Sequence, residues 1–233
     1  MTAALVLSGG IGRRLISEVP KQYVTVQGKM IVIHTIQKLC ASEMIDSVQV
    51  VAEKGWWEPM MTELTGVSKL KGFSLPGENR QLSILNGLRD MKQYLSDDDT
   101  VFIQDAVRPM VSDDLISGII KAAAGHDGAV PVLPLKDTVY KSDDGISLTG
   151  TLERGKILAG QAPEAFSFGK YLKANESLSN EVLLSLSGSA EPALMAGLDI
   201  VTLPGDEKNF KITTNEDLDR FIRIVEENRL FTE

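Results

Sequence analysis

Short apolar runs rich in β-branched residues alternate along the chain with longer stretches of helical period. The runs are too short for helices and mostly end at glycine, proline or acidic residues, which is typical of buried strands. This alternation predicts an α/β fold with a Rossmann-like, open, mostly parallel sheet flanked by helices. The predicted strands cover residues 3–7, 48–52, 73–75, 101–103 and 128–133.

Three segments carry apolar residues at helical spacing. The first, residues 84–95, has polar residues on its other face and therefore predicts an amphipathic helix. A second helix is predicted to begin near Ser112 and the last near Thr214, because Thr214 and Asp217 have the spacing of a capping box. Without a linker or an internal repeat, the chain is predicted to form a single domain over residues 1–233, with an arm described next.

Residues 136–156 interrupt this rhythm. They combine alternating residues with a turn signal at residues 142–145, which predicts a β-hairpin that projects from the sheet. An isolated two-stranded ribbon is marginally stable in water. We therefore expect this arm to pack on a second copy of the chain and the protein to be a homodimer.

Composition excludes several classes of protein. The formal net charge is −8 and the sequence pI is about 4.9, which argue against a general nucleic-acid surface. No apolar run approaches the roughly 18 residues of a spanning helix, so no membrane segment is predicted and a cytoplasmic location is expected. The single cysteine, Cys40, excludes an intramolecular disulfide.

The strongest local signal is the glycine-rich run SGGIGRRL, residues 8–15, directly after the first predicted strand. Gly9, Gly10 and Gly12 let the backbone approach an anionic ligand closely at a helix N-terminus, and together with Ser8 they are candidate nucleotide-binding residues. The dinucleotide fingerprint fails, since Leu15 replaces its third glycine and no acidic residue follows at the expected distance. An NAD-dependent oxidoreductase is thereby disfavoured, and the P-loop pattern is absent as well.

Six motifs follow one another along nearly the whole chain: SGGIGRRLISEVPKQY, GENRQLSILNGL, IQDAVRP, KDTVY, LERGKILAGQAPEAF and NFKITTNEDL. Together they resemble the cytidylyltransferases that make CDP-linked polyols, namely the methylerythritol phosphate cytidylyltransferases and their ribitol phosphate relatives. The resemblance implies an enzyme that joins CTP to a small polyol phosphate and releases pyrophosphate.

Nucleotidyl transfer needs positive charge at the α-phosphorus and at the departing pyrophosphate, so fixed cations and Mg²⁺ should carry the catalysis. Arg14, Lys21 and Lys211 fit this role as candidate catalytic residues, the last in an apolar, strand-like run. The acceptor's own phosphate ionises a second time near pH ~6 and needs no general base. A nucleotide-binding module without activity is the remaining rival, but it would not need the distant Lys211.

By the same resemblance, further residues receive roles in binding. The segment with Gly77, Arg80 and Ser83 is expected to bind the nucleotide through its cytosine base. Asp105 ends a predicted strand at the sheet edge where open α/β sheets bind ligands, and it is expected near the metal, the nucleotide and the acceptor. Arg108 is expected to organise that edge for the acceptor.

Acceptor recognition is expected from Thr138 and Arg154, which would reach from the arm into the other subunit's site. An arginine beside a hydroxyl suits a polyol phosphate. The sequence departs from the methylerythritol pattern at Ala162, where that pattern has threonine, and at residues 188–192. The expected acceptor is 2-C-methyl-D-erythritol 4-phosphate, and D-ribitol 5-phosphate or a related polyol phosphate stays open as the alternative.

Overall fold

The computed structural model describes residues 1–10 and 19–230, with side chains as far as residue 227. Its main sheet has eight strands, and the predicted α/β class is confirmed. The strands of this sheet are β1 (Thr2–Leu7), β4 (Ser47–Val51), β5 (Leu70–Ser74), β6 (Thr100–Asp105), β7 (Gly128–Pro134), β10 (Leu158–Gly160), β11 (Glu164–Ser167) and β12 (Ile200–Pro204).

The central strands are parallel, and their order shows at which edge of the sheet a ligand would bind. β1 lies between β4 and β6, with Leu7 level with Val51 on one side and with Asp105 on the other. β5 pairs with β4, and β11 pairs antiparallel with both β6 and β7. Because the chain leaves β1 toward β4 and later returns to β6, the carboxyl ends of β1 and β6 flank a topological switch point, where open sheets bind ligands.

Helices cover both faces of the sheet. Ser112 caps the helix Asp113–Ala123 by accepting a hydrogen bond from the Leu115 amide at 3.2 Å, and Thr214 accepts from the Asp217 amide at 3.3 Å, as the capping signals predict. None of the described helices is long and apolar enough to cross a membrane. The helices are α1 (Ile31–Ala41), α2 (Trp57–Glu63), α3 (Arg80–Met91), α4 (Asp113–Ala123), α5 (Phe168–Glu176), α6 (Asn180–Ser185), α7 (Glu191–Met195) and α8 (Asn215–Leu230).

The hydrophobic core forms two layers, one on each face of the sheet. Alternate residues of β1 enter different layers: Ala4 and Val6 face α1 and α4, whereas Ala3 and Leu5 face α3 and α5. A smaller cluster joins α8 to the chain after β6 through Val107 and Phe221. These layers fix β1, β6 and α3, the elements that carry most of the candidate site.

The predicted arm is a hairpin. Tyr140–Lys141 (β8) pairs antiparallel with Gly150–Thr151 (β9), and the intervening turn includes residues 142–145. The side chains of Tyr140, Ile146 and Leu148 are 54%, 88% and 64% exposed. A second small sheet pairs Thr25–Val26 (β2) with Lys29–Met30 (β3).

The five predicted strands are all present, with ends that differ by at most three residues. The strand-like character expected around Lys211 is wrong. Residues 205–213 contain neither helix nor strand, although the Ile212 amide donates to the Val107 carbonyl at 2.9 Å. Apolar side chains alternate here because Ile212 and Phe210 pack against α8, not because the backbone joins a sheet.

Candidate active site

Gln22 and Tyr23 form hydrogen bonds with the backbone directly after β1. The Gln22 amide nitrogen donates to the carbonyls of Ser8 at 2.8 Å and Gly10 at 2.6 Å. The Tyr23 hydroxyl donates to the same Ser8 carbonyl at 2.8 Å. These hydrogen bonds fix the backbone of residues 8–10, and Gly9 and Gly10 line a cavity.

Two glycines allow loops to approach more closely than any side chain would permit. A Cβ atom at Gly9 would lie 2.4 Å from the Pro76 side chain, and one at Gly77 would lie 2.7 Å from the Leu82 backbone. Both positions therefore require glycine. Gly9 consequently lies directly against Pro76, in the turn that leads into α3.

The N-terminus of α3 faces the same cavity. The Asn79 side chain caps the helix by accepting from the Leu82 amide at 2.9 Å, and the Ser83 hydroxyl accepts from the Gly77 amide at 3.0 Å. Arg80 is the first residue of the helix and reaches across the cavity to Asp105. A helix N-terminus with an arginine in its first turn is well suited to anionic groups.

Three cations converge on the carboxylate of Asp105, which is 6% exposed at the end of β6. The Arg80 guanidinium lies 3.2 Å from Oδ1, and the Arg108 guanidinium lies 3.3 Å from Oδ2. The ammonium of Lys211 is 3.0 Å from Oδ2. This convergence leaves an excess of positive charge around a buried carboxylate, which an anionic ligand would offset.

Burial opposes ionisation of Asp105, but the charges of Arg80, Lys211 and Arg108 outweigh it and hold the pKa of the carboxyl well below its usual range. Because the folded pKa is lower than the unfolded value of about 3.9, the ionised group stabilises the fold above that pH. The stabilisation is lost as the pH falls through the folded pKa.

Replacing Asp105 by asparagine should destabilise the fold, because three partly buried cations would lose their counter-charge. We expect a loss of about 3–5 kcal/mol in the free energy of unfolding at pH 7, measured by denaturant titration. The exposed pair between Arg89 and Glu176, 3.2 Å apart, provides the control: Glu176→Gln should change the same quantity by less than about 1 kcal/mol. Equal losses in the free energy of unfolding would contradict the stabilising role assigned to Asp105 among its three cations.

The two lysines predicted to be catalytic lie side by side. Lys21 donates from Nζ to the backbone carbonyl of Ile212 at 2.8 Å, so it also contacts the residue that follows Lys211. Both lysines line the cavity with Asp105. The structure therefore brings two lysines that are 190 residues apart in sequence into one site.

The cavity has a volume of about 310 Å³. It gathers most of the residues predicted for catalysis and nucleotide binding: Gly9, Gly10, Lys21, Gly77, Arg80, Ser83, Asp105 and Lys211. Ser8 is buried, and its hydroxyl forms no hydrogen bond with any residue that the structure describes, whereas Arg108 is connected to the cavity through its ion pair with Asp105. Gly12 and Arg14 lie outside the described residues.

Thr138 and Arg154, predicted to bind the acceptor, do not line this cavity. Both are exposed on or beside the arm, and Arg154 donates to the Lys136 carbonyl of its own chain. Sequence reasoning left two further residues out of the site. Both stand in quoted motifs, Gln22 in the run that ends PKQY and Glu164 in LERGKILAGQAPEAF, but their positions there gave neither residue a role.

Glu164 is 8% exposed at the start of β11, where it accepts a hydrogen bond from the Ser189 hydroxyl. Burial raises the pKa of its carboxyl above the ordinary value, although Ser189 and the charge of Arg80 oppose the shift. Ser189 belongs to the segment 188–192 that departs from the methylerythritol pattern. A residue of that segment therefore contacts β11, the strand that pairs with β6.

The fold and the site together define a nucleotide-transferring enzyme, with a glycine loop at a switch point and cations around one carboxylate. The family model of IspD, 2-C-methyl-D-erythritol 4-phosphate cytidylyltransferase, matches residues 2–227. The chain belongs to this family and is a cytidylyltransferase.

Relatives with two different acceptors match almost the whole chain. A 2-C-methyl-D-erythritol 4-phosphate cytidylyltransferase of Geotalea uraniireducens (strain Rf4) is 33% identical, over 97% of this chain and 98% of the relative. A ribitol-5-phosphate cytidylyltransferase of Streptococcus agalactiae serotype III (strain NEM316) is 30% identical, over 95% and 94%. The crystal structure of 2-C-methyl-D-erythritol 4-phosphate cytidylyltransferase from Francisella tularensis aligns with a TM-score of 0.81 at 26% identity, over 94% of this chain and 97% of that one.

Proposed function

We propose that the enzyme transfers the CMP group of CTP to 2-C-methyl-D-erythritol 4-phosphate and releases pyrophosphate, which would place it in isoprenoid precursor synthesis. The observation that carries the proposal is the convergence of Lys21, Lys211 and Arg80 on the cavity beside Asp105. The expected compartment is the cytoplasm, and the single cysteine suits a reducing environment.

In the proposed reaction, a phosphate oxygen of the acceptor attacks the α-phosphorus of CTP. The bond from that phosphorus to the bridging oxygen of the β-phosphate breaks, and pyrophosphate leaves with the electron pair. Lys21 and Lys211 stabilise the charge that develops on the phosphoryl oxygens. The acceptor phosphate is largely a dianion at neutral pH, since its second pKa is about 6, so no general base is needed.

The positions of the two histidines agree with a reaction that needs no general base. His34 lies 3.0 Å from the Val26 carbonyl, and His126 pairs with Asp199 at 2.7 Å on the surface. Neither lines the cavity in the part of the chain that the structure describes. Catalysis by positioning and charge, without a histidine base, is consistent with this arrangement.

We propose Mg²⁺ as the cofactor, with Asp105 as its protein ligand. The described residues contain no group of three acidic, histidine or cysteine side chains able to hold a metal alone. Mg²⁺ is commonly bound through one or two carboxylates together with substrate phosphates, and the ionised Asp105 supplies such an oxygen ligand. When bound, the ion would neutralise charge on the α-phosphate and the departing pyrophosphate.

The alternative acceptor is D-ribitol 5-phosphate or a related polyol phosphate. It is favoured by the 30% identity to the ribitol-5-phosphate cytidylyltransferase of S. agalactiae and by the departures at Ala162 and residues 188–192. Ala162 is 6% exposed and offers no hydroxyl. Losing a polar partner at a binding site changes discrimination between hydroxylated substrates strongly.

We propose a homodimer in which the arm of one subunit serves the site of the other. Tyr140, Ile146, Leu148 and Leu152 place apolar surface on or beside a hairpin in which residues 140–156 are all exposed. Burial of such a surface against a partner would stabilise the hairpin. Thr138 and Arg154 would then reach the acceptor phosphate of the neighbouring site.

Pyrophosphate release, measured with matched nucleotides and acceptors, tests the proposal. CTP should exceed ATP, GTP and UTP in kcat/KM by at least about 100-fold, since a slot lined by backbone groups near Gly77 and Ser83 excludes purines by shape and reads the exocyclic amine. With CTP fixed, methylerythritol phosphate should be preferred over ribitol 5-phosphate. Equal turnover with ATP would overturn the nucleotide assignment, and the reverse acceptor order would favour the alternative.

A further inference from the structure

Lys211 reaches Asp105 from a stretch of backbone that has no regular structure. We call residues 205–213, between β12 and α8, the Lys211 segment. Its C-terminal part is tied to the site, because the Ile212 amide donates to Val107 at 2.9 Å and the Ile212 carbonyl accepts from Lys21 at 2.8 Å. Its N-terminal part depends on other contacts.

Gln161 makes several of these contacts through one buried side chain, which is 5% exposed. Its amide nitrogen donates to the carbonyls of Asp206 at 2.9 Å and Asn209 at 3.3 Å. Its amide oxygen accepts from the Asp206 backbone amide at 3.1 Å. The side chain thereby supplies the donor and the acceptor that a neighbouring strand would have supplied.

Asn209 completes the connection from the other direction. It is fully buried, and its side-chain nitrogen donates to the Ala162 carbonyl at 2.9 Å. Its backbone carbonyl also accepts from the Arg108 guanidinium at 2.7 Å. A Cβ atom at Gly205 would lie 3.1 Å from the Gln161 amide oxygen, so the segment approaches Gln161 closely.

We propose that Gln161 is a positioning residue for nucleotidyl transfer: together with Asn209 it fixes the Lys211 segment, and so places the Lys211 ammonium beside Asp105. Neither residue lines the cavity, so their effect on the reaction passes through the segment. The inference rests on the proposed catalytic role of Lys211. A displacement of about 1 Å at a reacting group can cost about 100-fold in rate.

The test is Gln161→Met, which keeps a linear side chain of similar size but removes every hydrogen bond. We expect kcat to fall by about 10- to 100-fold. The dissociation constant of CTP, measured by calorimetry without acceptor, should change by less than about threefold, because the nucleotide pocket at Gly77 and Ser83 is untouched. Should Gln161→Met fail to fold, Gln161→Asn, which shortens the same amide by one methylene, should show the same split.

Gln49→Met is the matched control. Gln49 is also 5% exposed and donates from its side chain to Ser74 at 3.0 Å, but it lies in β4 away from the Lys211 segment. Both variants should lower the melting temperature, whereas Gln49→Met should keep kcat within about twofold of wild type. An equal fall of kcat in the two variants would overturn the positioning role.

A double-mutant cycle separates this inference from the proposed function. In the background Lys211→Ala, Gln161→Met should lower kcat further by less than about threefold, since the group that it positions is gone. If Lys211→Ala retains wild-type turnover, the catalytic role of Lys211 fails. If Lys211→Ala is inactive but Gln161→Met is fully active, or if the two effects multiply, the positioning inference alone is overturned.

Discussion

Replacing Lys21 or Lys211 by alanine is expected to lower kcat by about 100-fold or more, as the loss of a single charge-stabilising donor does in other enzymes. Binding of CTP should weaken far less, because the ammonium groups matter most when charge develops in the transition state. Single-turnover rates and CTP binding by calorimetry measure the two quantities. Lys92→Ala, which removes an exposed lysine on α3's C-terminal side, is the control and should leave both unchanged.

The two lysines should not act independently. Lys21 donates to the carbonyl of Ile212, so Lys21→Ala also removes a contact that holds the backbone next to Lys211. The double variant should therefore be less impaired than the product of the single effects. Wild-type turnover in either single variant would remove that lysine from the mechanism, and a fully multiplicative double variant would contradict the structural coupling.

The sequence predicted the central strands because they are buried on both faces. β1 is a nearly continuous apolar run, and β4 is rich in valine although the polar Gln49 interrupts it, so both were predicted as buried strands. The glycine-rich run after β1 and Asp105 at the end of β6 were placed at the sheet edge because they stand at the carboxyl ends of predicted strands. β11 was not predicted. It has four residues and begins with the buried Glu164, a residue type that is depleted in strands.

The candidate site was predicted as a set of residues but not as an arrangement. Arg80 was expected at the nucleotide and Arg108 at the sheet edge, but the ion pairs that both form with Asp105 were not predicted. Such a convergence depends on where α3 begins and on which way each side chain points. Sequence spacing reveals neither where α3 begins nor where these side chains point. The apolar run around Lys211 also did not indicate that Gln161 supports the backbone there.

If the arm is shared between subunits, mixing two inactive variants is expected to restore activity. If Arg154 serves the neighbouring site and Lys21 its own, Arg154→Ala and Lys21→Ala should each be inactive alone. A mixed dimer has one site with both defects and one with neither. Random association at equal ratio makes about half of the dimers mixed, so mixing should restore roughly a quarter of wild-type activity.

A mixture that cannot complement provides the control. Lys21 and Lys211 line the same cavity of one chain, so every site of a dimer between Lys21→Ala and Lys211→Ala carries one defect. That mixture should stay inactive, which separates complementation from nonspecific stabilisation at higher protein concentration. Subunit exchange is followed with differently labelled chains. An active monomer, or no recovery once exchange is demonstrated, would mean that Arg154 acts within its own chain and that the arm is not shared between sites.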